Sequence, residues 1–150
     1  MDFSELESVY RNLGGDFKQF SKISATVDVG LKFGFAKRIS EVDVQLFGLV
    51  SGDLNPIHFS EEFAKQTKFG GRVVHGMLTT SLVSTAVARL PGTVVLLETS
   101  FRYLAPVRIG DLVAVDCEIV EKERNRYKVN VVCKVNDKAI AEGWVKILIW

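Results

Sequence analysis

Between Gly76 and Arg89 the chain carries no charged side chain. Wound as a helix, that segment is surrounded by Met77, Leu78, Leu82, Val83, Ala86 and Val87. Its polar groups are the hydroxyls of Thr79, Thr80, Ser81, Ser84 and Thr85. A helix apolar nearly all round is buried rather than laid on a surface, so something must wrap it. Pro91-Gly92 closes it, and everything after it reads as strand, over residues 93–103, 112–122, 126–135 and 138–149. The intervening turns at 106–111, 124–125 and 136–137 are short, which predicts antiparallel neighbours. Val113, Val115, Cys117 and Ile119 share one face of their strand, as do Val129, Val131, Cys133 and Val135 of theirs. That alternation suits an antiparallel sheet with one face packed on the helix. The fold class is α+β: a long central helix wrapped by a curved antiparallel sheet.

The earlier residues place shorter elements before that helix. Phe3, Leu6, Tyr10 and Leu13 recur at helical spacing and stop at Gly14-Gly15, which predicts a short amphipathic helix. Residues 16–27 read as a loop or an edge strand, and 31–39 as a strand. Ser40 followed by Asp43 has the spacing of a capping box. Val42, Leu46, Leu49 and Val50 then continue a helix to Gly52. Ser60 starts another short helix, with acids in its first turn. At 150 residues the chain predicts a single domain, with residues 1–27 as an N-terminal extension.

Composition narrows the partners. Lys plus Arg number 19 and Asp plus Glu 18, a net charge of +1, so no nucleic-acid-binding surface is expected. No apolar run approaches the ~20 residues of a membrane span. The opening Met1-Asp2-Phe3-Ser4-Glu5-Leu6-Glu7 is acidic, unlike a secretory or transit leader, and a cytoplasmic location is expected. Two cysteines form neither a disulfide scaffold nor a metal-ligand spacing, so no metal is expected. With a turn centred on Asn125, Cys117 and Cys133 fall opposite each other, either as two buried thiols or as a cross-strand disulfide.

Both histidines of the chain lie in two segments before the last four strands. In Asp53-Leu54-Asn55-Pro56-Ile57-His58, five residues separate Asp53 from His58, which on a continuous helix would make them diverge. Pro56 breaks that geometry, and across a turn the two side chains can converge. A carboxylate and an imidazole sharing a water can move protons near neutral pH. The other reading is ordinary Asx-turn chemistry with His58 capping the next helix. The second segment is Val73-Val74-His75-Gly76-Met77. Free N–H groups at a helix start stabilise an anion, and glycine admits close approach; alternatively, Gly76 relieves crowding where the helix enters the sheet.

Phe47-Gly48-Leu49-Val50-Ser51-Gly52-Asp53-Leu54-Asn55-Pro56-Ile57-His58, with Ala64 six further on, resembles the hydratase 2 motif of the MaoC-like (R)-specific enoyl-CoA hydratases. His75-Gly76-Met77-Leu78 with Ser81 and Ser84, and the stretch from Ser100 to Gly110-Asp111, resemble two further blocks of that family. The similarity runs from about Leu31 to the C-terminus. It implies a hot-dog fold, commonly dimeric, and reversible syn hydration of a trans-2-enoyl thioester to the (R)-3-hydroxyacyl thioester. No cofactor is implied beyond the CoA of the substrate. Asp53 and His58 would be the dyad, and the Gly76 N–H would polarise the thioester carbonyl. Ser84 would orient Asp53, and Asn55 would fix the turn. Ser81, His75, Met77 and Arg72 would line or orient the substrate. Phe33, Phe35, Phe47, Phe63, Phe69 and Val83 are candidates for an acyl tunnel, and Lys68, Arg72, Arg102 and Arg108 for phosphates. The alternatives on the same fold are a 3-hydroxyacyl carrier-protein dehydratase, a thioesterase and an acyl-thioester-binding protein. A sheet of this size leaves an open edge, which a homodimer would cover.

Overall fold

The uncharged helix is the axis of the molecule. The computed structural model describes residues 1–150. Its elements are α1 (Phe3–Asn12), β1 (Lys32–Arg38), α2 (Glu41–Ser51), α3 (Pro56–Phe59), α4 (Glu61–Lys65), α5 (Gly76–Ala88), β2 (Val94–Tyr103), β3 (Leu112–Glu123), β4 (Arg126–Val135) and β5 (Lys138–Ile149). The strands form one antiparallel sheet in the order β1-β3-β4-β5-β2. Leu82, Val83, Ala86 and Val87 of α5 share a core with Val113, Val115 and Ile119 of β3, Val129 and Val131 of β4, and Val145 and Ile147 of β5. This is the hot-dog arrangement.

Burial of α5 is less complete than its composition predicts. Met77 is 70% exposed, and Ser81 and Ser84 are exposed as well. These three stand at i, i+4 and i+7, one stripe of the helix. Five strands curl around one side of α5 and leave that stripe open.

Two-residue turns do join antiparallel neighbours, β3 to β4 and β4 to β5. Asn136 and Asp137 both adopt positive φ, as the tight turn between β4 and β5 requires. The expectation fails between β2 and β3, which are not paired; β2 pairs with β5. Two residues cannot reach past the adjacent strand, whereas the connection over 104–111 is long enough to cross the sheet. On the way it buries Val107 and accepts the Val74 N–H on the Val107 carbonyl, at 2.8 Å.

The cysteine register also differs from expectation. Cys117 pairs with Val131, and Cys133 with Val115. The turn lies between Arg124 and Asn125, and a bulge between Ile119 and Glu121 slips the ladder once more. The thiols are therefore two positions out of line, free and buried. Burial pushes Cys117 up to about 12 and Cys133 up to about 11, which leaves both protonated and inert.

Residues 16–27 form a loop rather than an edge strand. Helix ends expose carbonyls that need donors, and this loop supplies them beyond α5. Lys22 Nζ donates to the Leu90 and Gly92 carbonyls, both at 2.8 Å, and the Ile23 N–H donates to the Arg89 carbonyl at 2.8 Å. Helix α1 has its capping box from Asp2 and Glu5 but buries no residue. Its apolar positions Phe3, Leu6 and Val9 face solvent, as does Leu13 at its C-cap. Tyr10 ties α1 down, donating to Asp43 at 2.5 Å.

Candidate active site

Helix α2 ends because Gly52 takes the left-handed conformation (φ 76°), its N–H closing on the Gly48 carbonyl. Asp53 leaves the helix there. Its Oδ1 accepts the Asn55 N–H at 3.1 Å, and Asn55 Oδ1 in turn accepts the Ile57 N–H at 3.3 Å. Both are Asx-type bonds that hold the turn. The sequence reading lacked α3, a single helical turn begun by Pro56. That turn swings His58 inward until the residue is 9% exposed. His58 Nε2 and Asp53 Oδ2 stand 3.9 Å apart. The distance is too long for a direct hydrogen bond and suited to a shared water.

The proton positions follow from the partners. His58 Nδ1 lies 2.7 Å from the Val73 carbonyl, which can only accept. Nδ1 therefore carries the hydrogen, and the Nε2 lone pair faces Asp53. His75 Nε2 lies 3.0 Å from the Asp53 carbonyl and must donate to it. His75 Nδ1 is buried without a partner. The two rings stack, centroids 3.7 Å apart and planes tilted by 27°. Burial lowers the pKa of His58 below its ordinary 6.5. The bond to Val73 and the Asp53 charge oppose this, while His75 and Arg72 reinforce it. His58 is therefore a neutral base at pH 7.

Ligand atoms of Asp53, His58 and His75 all lie within 4.8 Å of one another. Of these atoms, His75 Nε2 is already engaged by the Asp53 carbonyl.

Gly76 opens α5 with no side-chain cap from His75, and no acceptor in the chain meets the N–H groups of Gly76, Met77 and Leu78. A Cβ on Gly76 would lie 2.9 Å from Cε1 of Tyr103 on β2. The glycine thus keeps a ring beside free helix-start donors. A cleft of about 510 Å³ collects Phe47, Ser51, Asp53, His58, His75, Gly76, Met77 and Tyr103. An apolar groove of about 320 Å³ adjoins it between α5 and β2 and shares Phe47, Met77 and Tyr103.

Other expected site residues divide. Met77 lines both hollows, and Ser81 and Ser84 line the groove. Ser81 returns its hydroxyl to the Leu78 carbonyl at 2.6 Å. Ser84 does not orient Asp53 within this chain: it stands two helical turns beyond Gly76, ~12 Å along the axis, and makes no bond to the carboxylate. Arg72 is not a free substrate ligand, because Glu41 and the His58 carbonyl occupy its guanidinium. Arg108 is spent on the carbonyls of Phe69, Gly71 and Arg72, and Arg102 pairs with Glu142. Lys68 lies over the Phe69 ring. Of the tunnel candidates, Phe47 and Val83 reach the groove. Phe35 packs on the core, Phe33 borders a separate polar hollow, and Phe63 is half-exposed. The sequence reading missed Thr99, Phe101 and Tyr103, whose period-2 spacing on β2 was the available signal.

Residues 22–141 match the MaoC like domain. The chain belongs to the MaoC-like dehydratase family. It is 42% identical over 121 residues to the 3-hydroxybutyryl-CoA dehydratase of Methylorubrum extorquens, covering 78% of this chain and 77% of that one. It is 35% identical over 124 residues to an (R)-specific enoyl-CoA hydratase of Rhodospirillum rubrum, covering 80% and 86%. A crystal structure of a protein from Archaeoglobus fulgidus superposes with a TM-score of 0.97 at 58% identity, covering 98% of this chain and 94% of that one. The two relatives thus share most of the chain length, and the Archaeoglobus fulgidus structure shares the fold.

Proposed function

We propose that the protein is a hydro-lyase that reversibly adds water across trans-2-enoyl-CoA to give (R)-3-hydroxyacyl-CoA. One observation carries the reading. The free lone pair of His58 and the carboxylate of Asp53 face one cleft, beside the unpaired N–H of Gly76. Water is a poor nucleophile and needs a base. Held between Asp53 Oδ2 and His58 Nε2, it loses a proton as its oxygen bonds to C3. The C2=C3 electron pair moves toward the thioester oxygen, where the Gly76 N–H receives the charge; one such donor is worth ~2.7–4 kcal/mol in the transition state. The dyad then returns a proton to C2. Both new bonds form on the side where the two groups sit, so the addition is syn. The acyl chain occupies the apolar groove beyond Met77.

Incubation with crotonyl-CoA, followed by loss of enoyl absorbance and chiral analysis of the product, tests this. Activity that survives both Asp53→Asn and His58→Ala would sink it, and release of free thiol would indicate a thioesterase. Binding without turnover would leave an acyl-thioester-binding protein. Parallel rates on the CoA and carrier-protein thioesters of one acyl group identify the natural carrier. The mechanism uses no cofactor beyond the substrate's own CoA.

A homodimer is part of the proposal. Leu49, Val50, Leu54 and Met77 are each more than 60% exposed around the site, and β2 pairs on one side alone. Exposed apolar side chains of this kind support an interface between two copies. A monomeric mass in light scattering at micromolar concentration would refute it. No helix is long and apolar enough to cross a membrane. The two buried free thiols fit a reducing, cytoplasmic setting.

A further inference from the structure

The strip of chain from Arg72 to His75 lies outside helix and strand, yet it supports both histidines. The Val73 carbonyl fixes the His58 tautomer, and the Val73 N–H donates to the Ile57 carbonyl at 3.3 Å. Arg72 begins the strip, and its guanidinium turns inward. Nε donates to the His58 carbonyl at 2.7 Å, while Nη1 and Nη2 grip the two oxygens of Glu41 at 3.0 and 2.8 Å. Glu41 is the first residue of α2, the helix whose far end releases Asp53. From behind, Arg108 donates to the Arg72 carbonyl at 2.9 Å, so the strip cannot slide away. Such a fork of parallel bonds is directional as well as strong.

We infer that Arg72, clamped on Glu41, is a positioning residue that holds the His58 backbone against α2, so that the imidazole and the Asp53 carboxylate meet over one cleft. The inference rests on the hydratase reading of that cleft. It assigns to an arginine beside an acyl-CoA site a task other than binding phosphate. A guanidinium already committed to a carboxylate and a carbonyl has little left to offer an anion. Its charge also disfavours a proton on His58.

The test uses the full-length protein with Glu41→Gln, Arg72→Lys and Arg72→Gln. Glu41 is nearly half exposed, so its variant is the one expected to fold like wild type. Two measurements are made: kcat and KM on crotonyl-CoA, and the ring-nitrogen NMR signals of His58. A displaced reacting group costs rate rather than affinity. Glu41→Gln and Arg72→Lys are therefore expected to lower kcat ~10-fold or more, with KM within about threefold of wild type. His58 is expected to lose its single Nδ1–H tautomer. Raised KM with kcat intact would overturn the inference in favour of a phosphate ligand. Unchanged His58 signals would overturn it whatever the rate, because the clamp would then not act on that ring. If wild type does not hydrate crotonyl-CoA, the hydratase reading fails by itself and the NMR signals still decide the clamp.

Discussion

Helix α2 has an aspartate at each end, and the two have opposite surroundings. Asp43, in its first turn, is 9% exposed. Tyr10 donates to Oδ1 at 2.5 Å; Lys37 Nζ, the Ser40 N–H and the Ser40 hydroxyl each donate to Oδ2 at 2.8 Å. Asp53, two residues past the helix, has a side chain 48% exposed. One backbone N–H reaches its Oδ1, and its Oδ2 faces two imidazoles, each 3.9 Å away. A carboxylate whose lone pairs are all taken cannot accept a proton without breaking structure. One that keeps an oxygen free toward a cleft can. The contrast separates an acid that holds the fold from one that the proposed mechanism uses for chemistry.

The largest effect should come from exchanging that free oxygen for an amide. Asp53→Asn is expected to lower kcat ~10²–10⁴-fold, the usual worth of a positioned acid–base group. It should move stability by no more than about 0.5 kcal/mol, as for an exposed side chain. Steady-state rates and a thermal melt on the same preparation check both halves, and a large loss of stability would break the comparison. Asp43→Asn should do the reverse. It leaves Lys37 partly buried without its counter-charge, at a cost of about 3 kcal/mol, or roughly 6–12 °C of melting temperature. Turnover per folded molecule should stay within about threefold of wild type.

Acid should separate the two ends as well. Burial alone would raise the Asp43 pKa, but bonds from Lys37, the Ser40 backbone and Tyr10 outweigh it and hold it below 3.8. Its stabilisation is thus complete above the unfolded value and lost as pH falls through the lower folded one. Denaturation curves below pH 4 should show that loss in wild type and lack it in Asp43→Asn. Activity should fail at higher pH than this structural loss, yet below the ordinary histidine value. The base must stay neutral, and His58 titrates below 6.5. A rate profile whose acid limb lies above 6.5 would contradict the buried, neutral imidazole. Smallest of all, Tyr10→Phe should cost about 1 kcal/mol. It should loosen α1 toward proteolysis with kcat unchanged.

Much of this contrast is written in short-range spacing. Ser40 and Asp43 form their capping box with both bonds present, because three residues of separation bring cap and N3 together in any helix. Gly52 ends α2 for an equally local reason. The strand limits around 124–125 and 136–137 follow from alternation and turn residues. By contrast, Tyr10 lies 33 residues from Asp43 and Glu41 lies 31 from Arg72. No local pattern joins such pairs. Arg72 looked like a phosphate ligand in sequence because charge and position say nothing about whether a guanidinium is already engaged. Ser84 was assigned to Asp53 through resemblance, and the rise of α5 carries it away.

By itself, then, the sequence determined most of the segments that wind or extend, though not α3, together with the uncharged helix at the centre and the residues proposed to carry the chemistry. Each depends on neighbours a few positions away, where backbone geometry leaves few choices. Tertiary structure alone decided that β2 pairs with β5, that the cysteines miss each other, and that an exposed stripe runs along α5. It also decided that His75 stacks on His58 and that the Val73 carbonyl fixes which His58 nitrogen is bare. Those outcomes turn on bulges, crossing connections and buried carbonyls, and each is settled by where the chain returns after tens of residues rather than by what stands beside it.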